Sequence, residues 1–180
     1  STNEQLYVAN WHENSVTTID ISGNNPDKWK VTETIKVGGT PRGMCFSPDE
    51  KTLLVAQMGV GKITRINTHT QQVIGSQFIG NTPRHLIQHE RKIYVTHSST
   101  DKLQVLHADN LHRLQQVSTG QDPRTITLSP DGKLAFVVCY EDNSLQVFRT
   151  KDLKLLATYP CKGAPVGVDI WQKGDYLEAW

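Results

Sequence analysis

Residues 37–56 read VGGTPRGMCFSPDEKTLLVA and residues 118–138 read STGQDPRTITLSPDGKLAFVV. These are two versions of one pattern: a glycine-bearing loop, Pro-Arg, an apolar stretch, Ser-Pro-Asp, a lysine and a second apolar stretch. Pro-Arg recurs at Pro41-Arg42, Pro83-Arg84 and Pro123-Arg124, with a degenerate copy at Pro165-Val166, at intervals of 42, 40 and 42 residues. The second apolar stretch recurs as Leu6-Tyr7-Val8-Ala9, Leu53-Leu54-Val55-Ala56, Ile93-Tyr94-Val95-Thr96, Ala135-Phe136-Val137-Val138 and Tyr176-Leu177-Glu178-Ala179. A repeat of roughly 40 residues points to a solenoid or a propeller.

Within one repeat the apolar period is two. Residues 124–129 (Arg-Thr-Ile-Thr-Leu-Ser) and 144–149 (Ser-Leu-Gln-Val-Phe-Arg) alternate, carry β-branched side chains and end at turn residues, the signature of strands. Ser129-Pro130-Asp131-Gly132 and Asp142-Asn143-Ser144 supply the turns. One repeat therefore gives four short strands, A (124–129), B (134–139), C (145–149) and D (155–160), joined as antiparallel neighbours. No window supports a helix of ten residues. A four-stranded meander repeated at this period is a propeller blade, because radial packing covers both faces of each sheet. The fold class expected is all-β: a β-propeller of four-stranded antiparallel blades, about four in this chain. The repeats run approximately 5–51, 52–92, 93–133 and 134–174, with a further strand starting at 175–180, all within one domain or part of one. The strand order is B-C-D-A, opening on Leu6 and closing on a surplus B at Tyr176. The ring is therefore expected to be incomplete, or closed by a second copy whose first blade is completed by residues 166–171.

Ile93-Tyr94-Val95-Thr96, the Pro-Arg before strand A and the Ser-Pro-Asp-Gly-Lys turn together resemble the YVTN β-propeller repeat of surface-layer proteins, lactonase-like propellers and the haem d1 domain of nitrite reductases. The resemblance covers nearly the whole chain. It implies a periplasmic or secreted setting, and it makes a lactonase-like hydrolase or a haem-binding domain the alternatives to a non-catalytic binding or scaffold propeller. The second repeat departs from it at Gln88-His89-Glu90-Arg91, where Ser-Pro-Asp-Gly is missing and a looser A–B turn is expected.

Composition narrows the partners. The longest apolar run, Leu134 to Tyr140, is far too short to span a bilayer, and no basic region followed by an apolar run opens the sequence. With 19 Lys plus Arg against 18 Asp plus Glu, bulk charge does not indicate nucleic acid. Cys45, Cys139 and Cys161 are odd in number, and strand C separates Cys139 from Cys161, so free thiols are expected. Free thiols leave a cytoplasmic setting open as well.

Topology places the start of A and the end of B on one side of the disc. Arg42, Arg84 and Arg124, each at the start of the innermost strand, should therefore converge at the channel mouth, with His85 following Arg84, His97 ending its strand B and Trp11 at the tip of the first B–C loop, all on the same face. Guanidinium suits bidentate capture of carboxylate or phosphate, so an anionic ligand or an acidic group on a protein partner is the binding expectation. The competing structural reading pairs each Arg with an acid such as Asp122, Glu141 or Asp142. The seven histidines recur in no metal-ligating pattern, and Cys-x-x-Cys-His is missing, so no metal, cofactor or catalytic residue is assigned.

Overall fold

The computed structural model describes residues 4–23 and 25–171. Among these residues fifteen strands form four antiparallel sheets. The first contains β1 (Gln5–Asn10), β2 (Ser15–Asp20) and β3 (Lys30–Lys36); the second β4 (Pro41–Phe46), β5 (Thr52–Gln57), β6 (Lys62–Asn67) and β7 (Gln72–Phe78). The third contains β8 (Pro83–His89), β9 (Lys92–His97), β10 (Lys102–His107) and β11 (Arg113–Ser118), and the fourth β12 (Pro123–Leu128), β13 (Leu134–Cys139), β14 (Ser144–Arg149) and β15 (Lys154–Pro160). Each sheet is an up-and-down meander, and no sheet closes on itself. This is a β-propeller of about four blades.

The burial gradient along each blade explains why alternation alone reads weakly in the middle strands. β5 and β9 are buried at nearly every position because sheets pack on both faces, which favours near-continuous apolar runs. The outermost strands β3, β7, β11 and β15 are exposed at most positions and carry the polar residues. Three core clusters sit between successive sheets: Val16 with Leu53 and Val55; Leu54 and Ile63 with Leu86, Ile93 and Val95; and Tyr94 and Leu103 with Ile126, Val137 and Phe148.

The A–B turns differ from the expectation in one place. In the second and fourth sheets the Ser-Pro-Asp turn spans five residues, held by Ser47 and Ser129 hydroxyls donating to Asp49 and Asp131, each at 2.7 Å. In the third sheet β8 and β9 are instead joined through Glu90 and Arg91 alone, His89 pairs directly with Lys92, and Glu90 takes φ 53°. Loss of Ser-Pro-Asp-Gly therefore shortens the hairpin; it does not loosen it. A two-residue connection with a left-handed residue matches the twist of the flanking strands.

Residues 162–171 do not form a strand, although the repeat places an inner strand there. Among the described residues the first sheet correspondingly has three strands and no inner one. The surplus strand expected at Tyr176 to Ala179 lies outside the described residues. Cys45, Cys139 and Cys161 stand free.

Candidate functional site

Each of the three arginines lies on a bulge of an inner strand. Along β4 the pairing passes from Pro41–Gln57 to Met44–Val55, so Arg42 and Gly43 stand opposite Ala56 alone. Along β8 Pro83–His97 is followed by His85–Thr96, leaving Arg84 with no counterpart. Along β12 Arg124 and Thr125 stand opposite Val138. An extra residue bends the strand and re-aims its side chain; here it turns the guanidinium toward the mouth. The residue before each proline is left-handed: Thr40 at φ 58°, Thr82 at 50° and Asp122 at 49°. For β-branched threonine that conformation is strained, by roughly 1–3 kcal/mol.

Hydrogen bonds from the B–C loops hold the strain in place. The carbonyls of Thr40, Thr82 and Asp122 accept from the amides of Met58, Ser98 and Tyr140 at 3.0, 3.1 and 3.0 Å. The Thr40 amide donates to Asn14 Oδ1 at 2.7 Å and the Asp122 amide to Asp101 Oδ1 at 2.9 Å. Side chains clamp the incoming loop: the Gln57 amide donates to the carbonyls of Val37 and Gly38, and Gln146 Oε1 accepts from the Gly120 amide at 2.9 Å. His97 does the same work in the third sheet. Its Nδ1 bonds Asn81 O at 2.8 Å and its Nε2 lies 3.1 Å from Gln104 Oε1.

Arg42, Arg84 and Arg124 line one open hollow of about 510 Å³, together with Gly43, Met44, His85, Thr125 and Val166. Gly43 sets its width. A Cβ there would lie 2.7 Å from His85 Cα and 2.8 Å from Arg84 O, both backbone atoms, so β4 and β8 approach as closely as they do only because position 43 has no side chain.

The three guanidiniums are not equivalent. Arg124 donates from Nε and Nη2 to Asp122 Oδ2, both at 2.9 Å, and lies 3.3 Å over the Tyr140 ring. Arg42 lies 4.0 Å over the Trp11 ring, which stacks in turn on His12, while its buried Nε has no hydrogen-bond partner. Arg84 has neither an ion pair nor a hydrogen bond among the described residues. Desolvation, then the charges of Arg124 and Arg42, hold its pKa below the ordinary arginine value, with Asp122 opposing them. The difference follows from the repeat. The first residue of the B–C loop is Trp11 and Tyr140 in the outer two sheets, but Met58 and Ser98 in the middle two, so no ring lies beside Arg84.

His85 faces the same hollow. Burial pushes its imidazole below its ordinary pKa, and its Nδ1 is buried without a hydrogen-bond partner. Among the predicted site residues the structure thus brings together Arg42, Arg84, Arg124 and His85, with Trp11 beneath Arg42; it places His97 apart, clamping a loop that leads into Arg84. Tyr140 was not singled out from the sequence, although its position in the repeat is that of Trp11. Among the described residues no three His, Cys, Asp or Glu side chains converge as metal ligands. A second hollow of about 620 Å³ on the Ser-Pro-Asp side is lined by Asp49, Arg65, Arg91 and Asp109 among others; there Arg91 pairs with Asp109 and Arg65 donates to the Asp109 carbonyl at 3.4 Å.

The family described as the choice-of-anchor I domain matches residues 4–162. The chain is 29% identical over 147 residues to Antigen Lp49 of Leptospira interrogans, covering 77% of this chain and 31% of that one. It is 26% identical over 142 residues to hydrazine synthase subunit beta of Kuenenia stuttgartiensis, covering 76% and 32%. The chain therefore spans about a third of the length of these two relatives. A crystal structure of a candidate 6-phosphogluconolactonase from Bacteroides fragilis superposes with a TM-score of 0.80 at 18% identity, over 95% of this chain and 58% of that one.

Proposed function

The chain belongs to the choice-of-anchor I domain family, and we propose that it is a non-catalytic binding propeller that takes an anion, or an acidic group of a protein partner, at the mouth formed by Arg42, Arg84 and Arg124. The observation that carries this reading is Arg84: a half-buried guanidinium with no acid of its own, between two others. Like charges so placed cost free energy, and a shared anion offsets that cost through charge-assisted hydrogen bonds of roughly 1.5–3 kcal/mol each. Asp122 neutralises Arg124 in part, so the surplus at the mouth is close to two positive charges and a dianion suits it. Strain in Thr40 and Thr82, and the bulges beneath the arginines, are the kind of local expense that accompanies binding sites.

A protein partner agrees with the relative named as a synthase subunit. The YVTN-type reading of the repeat leaves the hydrolase alternative as a question of residues, because at 18% identity the lactonase-like neighbour speaks for the fold alone. Among the described residues that line the hollow none is a carboxylate, and Asp122 nearby is committed to Arg124, so His85 is the side chain there that could take a proton. His97 engages both ring nitrogens within the protein and is not poised as a haem ligand.

The test is calorimetric titration with inorganic phosphate and with citrate at low ionic strength, repeated with added salt and with Arg84→Met. Binding that weakens with salt and with Arg84→Met supports the reading. Heats indifferent to both would refute it.

A further inference from the structure

We infer that the hollow on the Ser-Pro-Asp side, between the second and third sheets, is a second ligand site and that it takes a small aromatic carboxylate. Every residue that lines it belongs to these two complete four-stranded sheets or to their turns. Its volume of about 620 Å³ lies within the range of ~300–1,000 Å³ usual for small-molecule pockets.

The hollow marks the place where the repeat changes its filling. One position of the second strand faces one of the third strand in every sheet: Tyr7 faces Thr18, Leu54 faces Arg65, Tyr94 faces Val105 and Phe136 faces Val147. The second-strand residue is aromatic except at Leu54. Across each gap stands a residue of the next sheet, Thr68, Ala108 or Thr150, identified as equivalent by the amide bond that each donates to the carbonyl of Lys51, Arg91 or Lys133. Between the first and second sheets the Tyr7 hydroxyl donates to Thr68 O at 3.4 Å. Between the third and fourth, Tyr94 is buried and interacts with the Thr150 side chain. In the middle gap Leu54 and Ala108 pack in one cluster and supply neither ring nor hydroxyl. Where Thr18 and Val105 are fully buried without charge, the middle gap carries the guanidinium of Arg65.

These exchanges give the hollow an apolar part and a cationic part. Pro48, Leu54, Ile74 and Ala108 form the first, and Ile74 is 56% exposed. Both lining carboxylates are engaged: Asp109 pairs with Arg91, and Asp49 accepts from the Ser47 hydroxyl at 2.7 Å and the Lys51 amide at 3.2 Å. Arg65 has no ion pair among the described residues, and its bond to Asp109 O at 3.4 Å ends on a neutral carbonyl. A guanidinium has more donors than that one acceptor satisfies, and a carboxylate takes two of them at once. Its flat face also stacks on rings, as Arg42 does on Trp11 and Arg124 on Tyr140. An aromatic acid thus supplies both the ring that the repeat omits here and the anion that Arg65 lacks.

The test is titration of the whole chain with 4-hydroxyphenylacetate, followed by the methyl resonances of Leu54, Ile74 and Ala108, with tyramine as the same ring bearing an amine. Saturable shifts of these methyls are expected, with tyramine at least about tenfold weaker and Arg65→Met weakening the acid roughly tenfold or more, the equivalent of one charge-assisted bond. Arg84→Met should leave this binding unchanged, which separates the site from the mouth on the opposite side. The triple variant Leu54→Tyr, Arg65→Val, Ala108→Thr copies the filling of the neighbouring gap and should abolish binding while melting no earlier than the parent. Methyls that do not shift in the folded parent, tyramine binding as tightly as the acid, Arg65→Met binding like the parent, or loss of binding with Arg84→Met would each overturn the proposal. Should the triple variant fail to fold, Arg65→Met and the tyramine comparison decide alone.

Discussion

Arg84→Met and Arg124→Met should behave in opposite ways, although both delete a guanidinium from the same hollow. Arg124 makes two 2.9 Å contacts to Asp122 and lies over Tyr140, and the side chains of the pair are only 22% and 20% exposed. Removing it leaves Asp122 half-buried and unpaired and removes a cation–π contact, at a cost of about 2 kcal/mol. For a chain of this size that lowers the melting temperature by roughly 4–8 °C. Arg84 makes no such bonds; its surroundings are desolvating and positively charged. Methionine keeps much of the stem packing while relieving repulsion, so the melting temperature should stay within about 1 °C of the parent or rise. Phosphate or citrate affinity should fall roughly 10- to 100-fold with Arg84→Met, the equivalent of one charge-assisted bond. Thermal melts followed by circular dichroism, with calorimetric titration of the same samples, measure both quantities. If Arg84→Met melts as early as Arg124→Met and binds normally, Arg84 is a strut between blades and the electrostatic argument fails.

Other outcomes follow from the same geometry. Gly43→Ala pushes a Cβ against the β8 backbone and should cost about 1–3 kcal/mol while weakening anion binding, read from urea midpoints and titration together. His97→Gln should be tolerated, because Gln57 clamps the equivalent loop, whereas His97→Ala leaves Asn81 O unbonded and should lose about 1–3 kcal/mol; equal destabilisation by both would contradict the clamp. Burial lowers the pKa of both His85 and His97 in the folded protein, so the unfolded chain takes up protons first. Their contribution is fully present above the ordinary histidine value near 6.5 and is lost as pH falls below it, with a slope of up to about 1.4 kcal/mol per pH unit for each histidine. Urea midpoints at pH 7.5 and 5.0 should show the drop, and His97→Gln should flatten it.

The blade was legible because its signal repeats. Pro-Arg and the second apolar strand recur at a nearly constant spacing, so strand order and the shared face of the loops follow from one repeat applied several times. The convergence of Arg42, Arg84 and Arg124 is a consequence of that symmetry. What separates them is not, because it depends on the non-repeating residues Trp11, Met58, Ser98 and Tyr140, which become neighbours of the arginines only after folding. Gly43 shows the same limit: a glycine inside a strand signals a bulge or a close approach, but only the structure says that the approaching backbone is that of β8. At Glu90-Arg91 the missing turn motif was legible and its consequence was not, since a lost five-residue turn can lengthen a loop or collapse it to a two-residue hairpin. Residues 165–170 have an inner-strand pattern, yet a strand forms only where a neighbour pairs with it.

The central claim, an anion held between Arg84 and its neighbours, is tested most directly by crystals of the protein soaked in selenate, whose selenium gives an anomalous signal. The account predicts the strongest peak in the hollow lined by Arg42, Arg84 and Arg124, with an oxygen within hydrogen-bonding distance of the Arg84 guanidinium and the Arg124–Asp122 pair intact. An empty hollow beside occupied sites elsewhere, or Arg84 turned away onto a carboxylate of its own chain, would contradict it.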